Sequence, residues 1–156
     1  MSIKNLKPRK DAKTKQGYFP INESKKYFGK GPVIYRSSWE YRFCVWAERN
    51  PNVTNWSSEP VGIKYFDTYN NRYATYYPDF LIVLDTGKRV LIEVKPRQHL
   101  LKPSQPKRKT KKSLKSYLYN LEQYTKNMCK FQAALKYCES KGWKFRIADE
   151  TWFKNV

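Results

Sequence analysis

Apolar and polar residues along this chain fall into blocks whose period switches from strand-like to helix-like and back. The run Tyr76-Tyr77-Pro78-Asp79-Phe80-Leu81-Ile82-Val83-Leu84 is almost wholly aromatic or aliphatic, the pattern of a buried strand. Asp85-Thr86-Gly87-Lys88 is a turn cluster, and Arg89-Val90-Leu91-Ile92-Glu93-Val94-Lys95 resumes the β pattern, which predicts an antiparallel hairpin. Side chains alternate faces along a strand, so Val90, Ile92 and Val94 should point one way while Leu91, Glu93 and Lys95 point the other. Strands are also expected over 53–57, 61–66 and 72–84, the last absorbing the run above, and a closing strand over 143–147.

Two stretches have helical spacing. Trp39, Phe43, Trp46 and Ala47 share one face, Ser37 is a candidate N-cap, and Asn50-Pro51 closes the segment. A longer helix should begin near Ser113, where Leu114, Tyr117, Leu121, Tyr124, Met128, Phe131, Leu135 and Cys138 form one apolar stripe and Gly142 is the expected stop. Such a stripe usually packs on the sheet of its own domain, with a helical seam between two copies as the alternative. A last short turn is expected over 150–154. The pattern amounts to one α/β domain, a mixed sheet flanked by helices with its core at about 30–150, and the 40% apolar content suits one compact core rather than two.

Charge narrows the choice of partner. The chain carries 32 Lys and Arg against 13 Asp and Glu, a formal net charge of +19, which suits a polyphosphate partner such as DNA, bound by counterion release. The excess is uneven. Arg97, Lys102, Lys107, Arg108, Lys109, Lys111, Lys112 and Lys115 follow one another with no intervening acid, among Pro96, Pro103 and Pro106. This predicts an extended basic loop over 97–113 that grips phosphates, against the plainer reading of a solvated linker. Residues 1–29 are expected to be a flexible N-terminal arm, basic through Lys4, Lys7, Arg9, Lys10, Lys13 and Lys15.

Chemistry enters through Pro78-Asp79 and Glu93-Val94-Lys95, which the hairpin would bring to the same end. A hard divalent cation such as Mg²⁺, or Mn²⁺ in the same oxygen site, takes one or two carboxylates and completes its shell with water and substrate phosphate. Asp79 and Glu93 meet that demand, the Val94 carbonyl could add a third protein oxygen, and Lys95 could orient water or stabilise charge during phosphodiester hydrolysis. Taken alone, the short motif is equally a strand end beside an exposed ion pair. Glu40 raises the same choice: it is either a third site acid or the capping-box partner of Ser37, accepting the N-cap N–H.

Glu40, Pro78-Asp79 and Glu93-Val94-Lys95 in this order resemble the PD-(D/E)xK nuclease superfamily, including its transposon-end-cleaving members. A more extended set, Tyr35-Arg36-Ser37-Ser38-Trp39-Glu40, Asn50-Pro51-Asn52-Val53, Trp56-Ser57-Ser58-Glu59, Tyr77-Pro78-Asp79-Phe80, Ile92-Glu93-Val94-Lys95-Pro96 and Lys141-Gly142-Trp143-Lys144-Phe145, resembles the head-completion nucleases of large contractile-tailed phages. That resemblance implies a restriction-endonuclease-like domain over 30–156 and Mg²⁺-dependent DNA cleavage with Glu40, Asp79, Glu93 and Lys95 as site residues. It also implies work on the packaged genome's end before tail joining, in the host cytoplasm or at the virion's head–tail neck, beside portal or neck proteins. The competing classes are a noncatalytic DNA-binding neck protein and a transposase-associated or repair endonuclease. A homodimer is left open, since cutting both duplex strands together is simplest with two sites.

Other chemistries find little support. His99 is the single histidine, and Cys44, Cys129 and Cys138 lack paired spacing, which speaks against zinc and for buried thiols in a reducing compartment. Gly29-Lys30-Gly31-Pro32 lacks the P-loop spacing. No membrane span or signal segment is expected. The tryptophans Trp39, Trp46, Trp56 and Trp143 fall inside expected elements and should fill the core.

Overall fold

The structure, a computed structural model, describes residues 15–153. In chain order it contains β1 (Gly17–Phe19), β2 (Val33–Tyr35), α1 (Ser38–Arg49), β3 (Val53–Ser58), β4 (Ile63–Asp67), β5 (Arg72–Tyr76), β6 (Phe80–Leu84), β7 (Arg89–Val94), α2 (Lys111–Lys141) and β8 (Lys144–Ala148). Short 3₁₀ turns cover Arg97–Leu100 and Glu150–Phe153.

The central sheet runs β3-β6-β7-β8, antiparallel except for the parallel β7–β8 pair, so it is mixed as expected. Gly87 closes the β6–β7 hairpin at φ 84°, a left-handed conformation that a residue with a Cβ adopts at a cost. Val90, Ile92 and Val94 pack against Phe43, Cys44 and Ala47 of α1. Leu91 lies on the other face with Phe131, Ala134 and Cys138 of α2. The face assignment read from the alternation therefore holds, and the sheet is sandwiched between α1 and the C-terminal half of α2.

Three expectations need correction. The strand expected over 72–84 is broken at Tyr77-Pro78-Asp79: β5 pairs with β4 in a separate ribbon, while β6 joins the central sheet. Pro78 has no N–H to continue a ladder, and its fully buried ring lies where the chain changes sheets. The stripe on α2 is displaced as well. Leu114 is exposed because the N-terminal half of the long helix runs past the edge of the core, whereas Leu135 is exposed within the packed half, where the buried positions are Asn127, Phe131, Ala134 and Cys138. α2 also starts earlier than expected, since Thr110 caps it in a reciprocal pair with Ser113, and Gly142 ends it at φ 71° as expected.

The basic arm expected over 1–29 divides in two. Residues 1–14, with most of its charge, lie outside the described residues. From Gly17 the chain is part of the fold: β1 pairs with β2, Phe19 is buried beside Trp56, and Tyr27 meets Trp56 edge-on at 4.8 Å between ring centroids. These anchors are apolar rings that a charge-based reading of the segment overlooks.

Candidate active site

Three elements end at the same edge of the sheet. Continuing the β6–β7 register, in which Phe80 faces Ile92, sets Asp79 opposite Glu93 and Pro78 opposite Val94. Pro78 cannot give Val94 the N–H that a ladder would supply, and Val94's own N–H goes to the Asp79 carboxylate at 2.8 Å. The Asp79 carbonyl is held by the Glu59 N–H, also at 2.8 Å. Pro78 therefore ends the pairing beside Asp79, and leaves the Val94 carbonyl facing a residue that has no donor.

Glu93 is buried and anchored on both oxygens. The Tyr76 hydroxyl donates to one at 2.6 Å, and the Lys95 ammonium lies 3.4 Å from the other. Lys95 also donates to the buried Asn127 side chain at 3.2 Å and rests 5.7 Å from the centre of the Phe131 ring. The ammonium is thus held between strand and helix. Lys130, one turn further along α2, lies over the Tyr65 and Tyr76 rings, and burial, with Lys95 nearby, pulls its ammonium below the usual lysine range.

Glu40 reaches this edge from the first turn of α1. Ser37 caps the helix by accepting the Glu40 N–H at 3.1 Å. The reciprocal half of the capping box goes elsewhere: Glu40 accepts from the Arg36 N–H at 2.9 Å, one residue before the N-cap. Burial pushes its carboxyl up to about 7, opposed by the Arg36 N–H and charge and reinforced by the negative charges of Glu93 and Glu59. Burial likewise carries the Asp79 carboxyl well above the usual range, reinforced by Glu93 and Glu40 and offset in part by the Val94 N–H and Lys95. Glu40, Asp79, Glu93 and Lys95 therefore share one electrostatic cluster.

Glu93 makes both Glu40 and Asp79 harder to ionise, and a cluster of negative groups of this kind is suited to a cation that no side chain fully supplies. The donors are all oxygens, the preference of a hard divalent ion. Among the described residues, no three His, Cys, Asp or Glu side chains are gathered as tightly as a metal's ligands. The set fits an ion that takes two carboxylates and completes its shell with carbonyl, water and phosphate oxygens.

The basic residues expected to grip DNA differ in their settings. Arg97 is tied down, its guanidinium 3.3 Å from Asp149 and its N–H shared by the Glu150 carboxylate at 3.1 Å. Lys102, Lys107, Arg108 and Lys109 are exposed on the connection to α2, whereas Lys111 and Lys112 form its first turn. His99 is exposed in the 3₁₀ turn. Tyr76, Asn127 and Lys130 were missed in the sequence. Asn127 had a signal, a polar residue at the head of the buried series 127, 131, 134 and 138.

The profile of TnsA-like endonuclease N-terminal domains matches residues 50–150, a span that includes Asp79, Glu93 and Lys95. The chain belongs to the TnsA-like endonuclease family. Nuclease chemistry comes with that membership. The chain is also similar to the head completion nuclease of Enterobacteria phage T4, at 31% identity over 133 residues, which covers 85% of this chain and 89% of that protein. Both restate the likeness to phage and transposon nucleases seen in the motifs. Among the described residues, no helix of this family member is long and apolar enough to cross a membrane.

Proposed function

We propose that the chain is a Mg²⁺-dependent DNA endonuclease that trims the end of a packaged phage genome during head completion, before the tail joins. The observation that carries the site is Asp79 set opposite Glu93, with Lys95 3.4 Å from the Glu93 carboxylate. Asp79, Glu93 and the Val94 carbonyl would hold the ion, with Glu40 as the supplementary acid. When bound, it supplies Lewis-acid neutralisation of the phosphodiester and activation of water. Mn²⁺ suits the same oxygen set.

The chain's own groups do the rest. Asp79 keeps its geometry through the Val94 N–H, and Glu93 through Tyr76. Lys95, steadied by Asn127, directs its ammonium toward the attacking water or the charge building on phosphorus oxygens. Lys102, Lys107, Arg108, Lys109, Lys111 and Lys112, joined by Arg97 when it releases Asp149, hold DNA phosphates. Lysines in the first turn of α2 oppose the helix dipole, an arrangement that a bound phosphate relieves. The T4 relative's name supports the head-completion setting, and with it we place the chain in the infected cell or at the neck of the particle.

The test is strand cleavage of linear and supercoiled DNA with Mg²⁺ or with EDTA, using wild type beside folded Asp79→Ala. Cutting that needs Mg²⁺ and falls at least about 100-fold in the variant is expected. DNA binding without cutting would return the chain to the noncatalytic neck-protein class.

A further inference from the structure

A cleft of about 700 Å³ opens beside Lys95, between the segment after β7 and one face of α2. This is a size that accepts small organic groups. Its walls carry three kinds of chemistry. Lys95, Lys102 and Lys130 supply positive charge, Tyr119 and Tyr124 supply aromatic rings, and Gln98, Asn120 and Gln123 supply carboxamides, with no carboxylate among the lining residues. Tyr119 is 62% exposed, too open for a core residue. On α2 the pairs 119/123, 120/124 and 123/127 are each four apart, so they share the face that leads down to Asn127 and hence to Lys95.

Phosphate contacts alone would need only the lysines. Tyrosine rings find no base face to stack on in a paired, stacked duplex, whereas carboxamides can bond phosphates and groove edges there as well as the free edges of unpaired bases. Together the two suit bases that have left the stack, rings by stacking and amides by bonding to free edges. We propose that this cleft is a binding site for unpaired DNA, so that the substrate class is a single-strand extension, gap or branch next to duplex, with the unpaired strand lying along α2. This rests on the nuclease reading above. Tyr119 stands eight residues before Asn127, about 12 Å along the helix axis. The cut should therefore fall within a few nucleotides of the stacked base.

The experiment separates binding from cutting. In EDTA, fluorescence anisotropy of a labelled oligo(dT) and of a blunt duplex is measured for wild type, Tyr119→Leu and Tyr119→Phe. Tyr119→Leu should weaken oligo(dT) binding about ten-fold while leaving the duplex within about two-fold, and Tyr119→Phe should match wild type. Unchanged oligo(dT) binding, or equal loss for both DNAs, overturns the proposal. With Mg²⁺, forked DNA should be cut at a fixed short offset from its junction, and cuts scattered through the duplex arm would also overturn it. If wild type cuts no DNA at all, the nuclease reading fails by itself and the EDTA binding result decides the cleft.

Discussion

Lys95 and Asn127 are joined at 3.2 Å across the boundary between sheet and helix. The lysine's other anchor is Glu93, 3.4 Å away, so deleting the amide leaves the ammonium with one fixed partner and freedom to swing about its long stem. Asn127→Ala should lower the cleavage rate about ten-fold with little change in DNA affinity, as outer-shell partners of reactive groups commonly do. Single-turnover rates beside anisotropy would check it, and a loss confined to affinity would remove Asn127 from the positioning role.

Glu40 makes stability fall as pH rises. Its carboxyl titrates near 7 in the fold against an ordinary 4.5. Between those values the folded state holds more protons than the unfolded chain, so the free energy of unfolding declines across that window and levels off above it. The contribution is at most on the order of 3 kcal/mol. Glu40→Gln keeps an acceptor for the Arg36 N–H and does not ionise. Without metal, the variant should therefore melt higher than wild type at pH 8, and the gap should close toward pH 5. Melting curves in EDTA at both values would show it.

Asp79→Asn should stabilise the metal-free protein, since it removes a buried like charge opposite Glu93 while retaining an oxygen for the Val94 N–H. Wild type should gain melting temperature as Mg²⁺ is added, by mass action on the folded state. The variant should start higher and gain almost nothing. An equal rise in both would place the ion elsewhere.

Replacing Lys107, Arg108 and Lys109 with alanine should weaken DNA binding irrespective of sequence. The salt dependence of affinity should become shallower, by about one in slope for each phosphate that the protein no longer neutralises. A titration against NaCl measures this directly, and an unchanged slope would return the segment to a solvated linker.

The convergence of Asp79, Glu93 and Lys95 was legible because strand alternation and a tight turn are local rules that suffice to bring 79 and 93 to one end, whereas Glu40 was joined to them only through the resemblance to nucleases. The sheet change at Pro78 was hidden, since an unbroken apolar run looks alike whether one sheet or two receives it. Asn127 and Tyr76 act through partners distant in sequence, and nothing in their own neighbourhoods announces Lys95 or Glu93. Leu135 misled for a different reason: the buried line runs through 131, 134 and 138, which leaves 135 one position to the side, and how an apolar stripe is rotated against the sheet is a tertiary matter. Phe19 and Tyr27 were masked by the lysines around them, although two aromatic anchors were enough to draw the segment into the fold.

Pro78 acts as a stop on a zipper. With an ordinary residue in its place, the β6–β7 hairpin could close one more rung, the new N–H meeting the Val94 carbonyl and the new carbonyl competing with Asp79 for the Val94 N–H. If the proposed site is right, the more regular sheet would be the poorer enzyme, because Asp79 would lose its seat and the carbonyl would be sealed against any ion. On that reading, reactivity at this edge depends on a hairpin left one rung short.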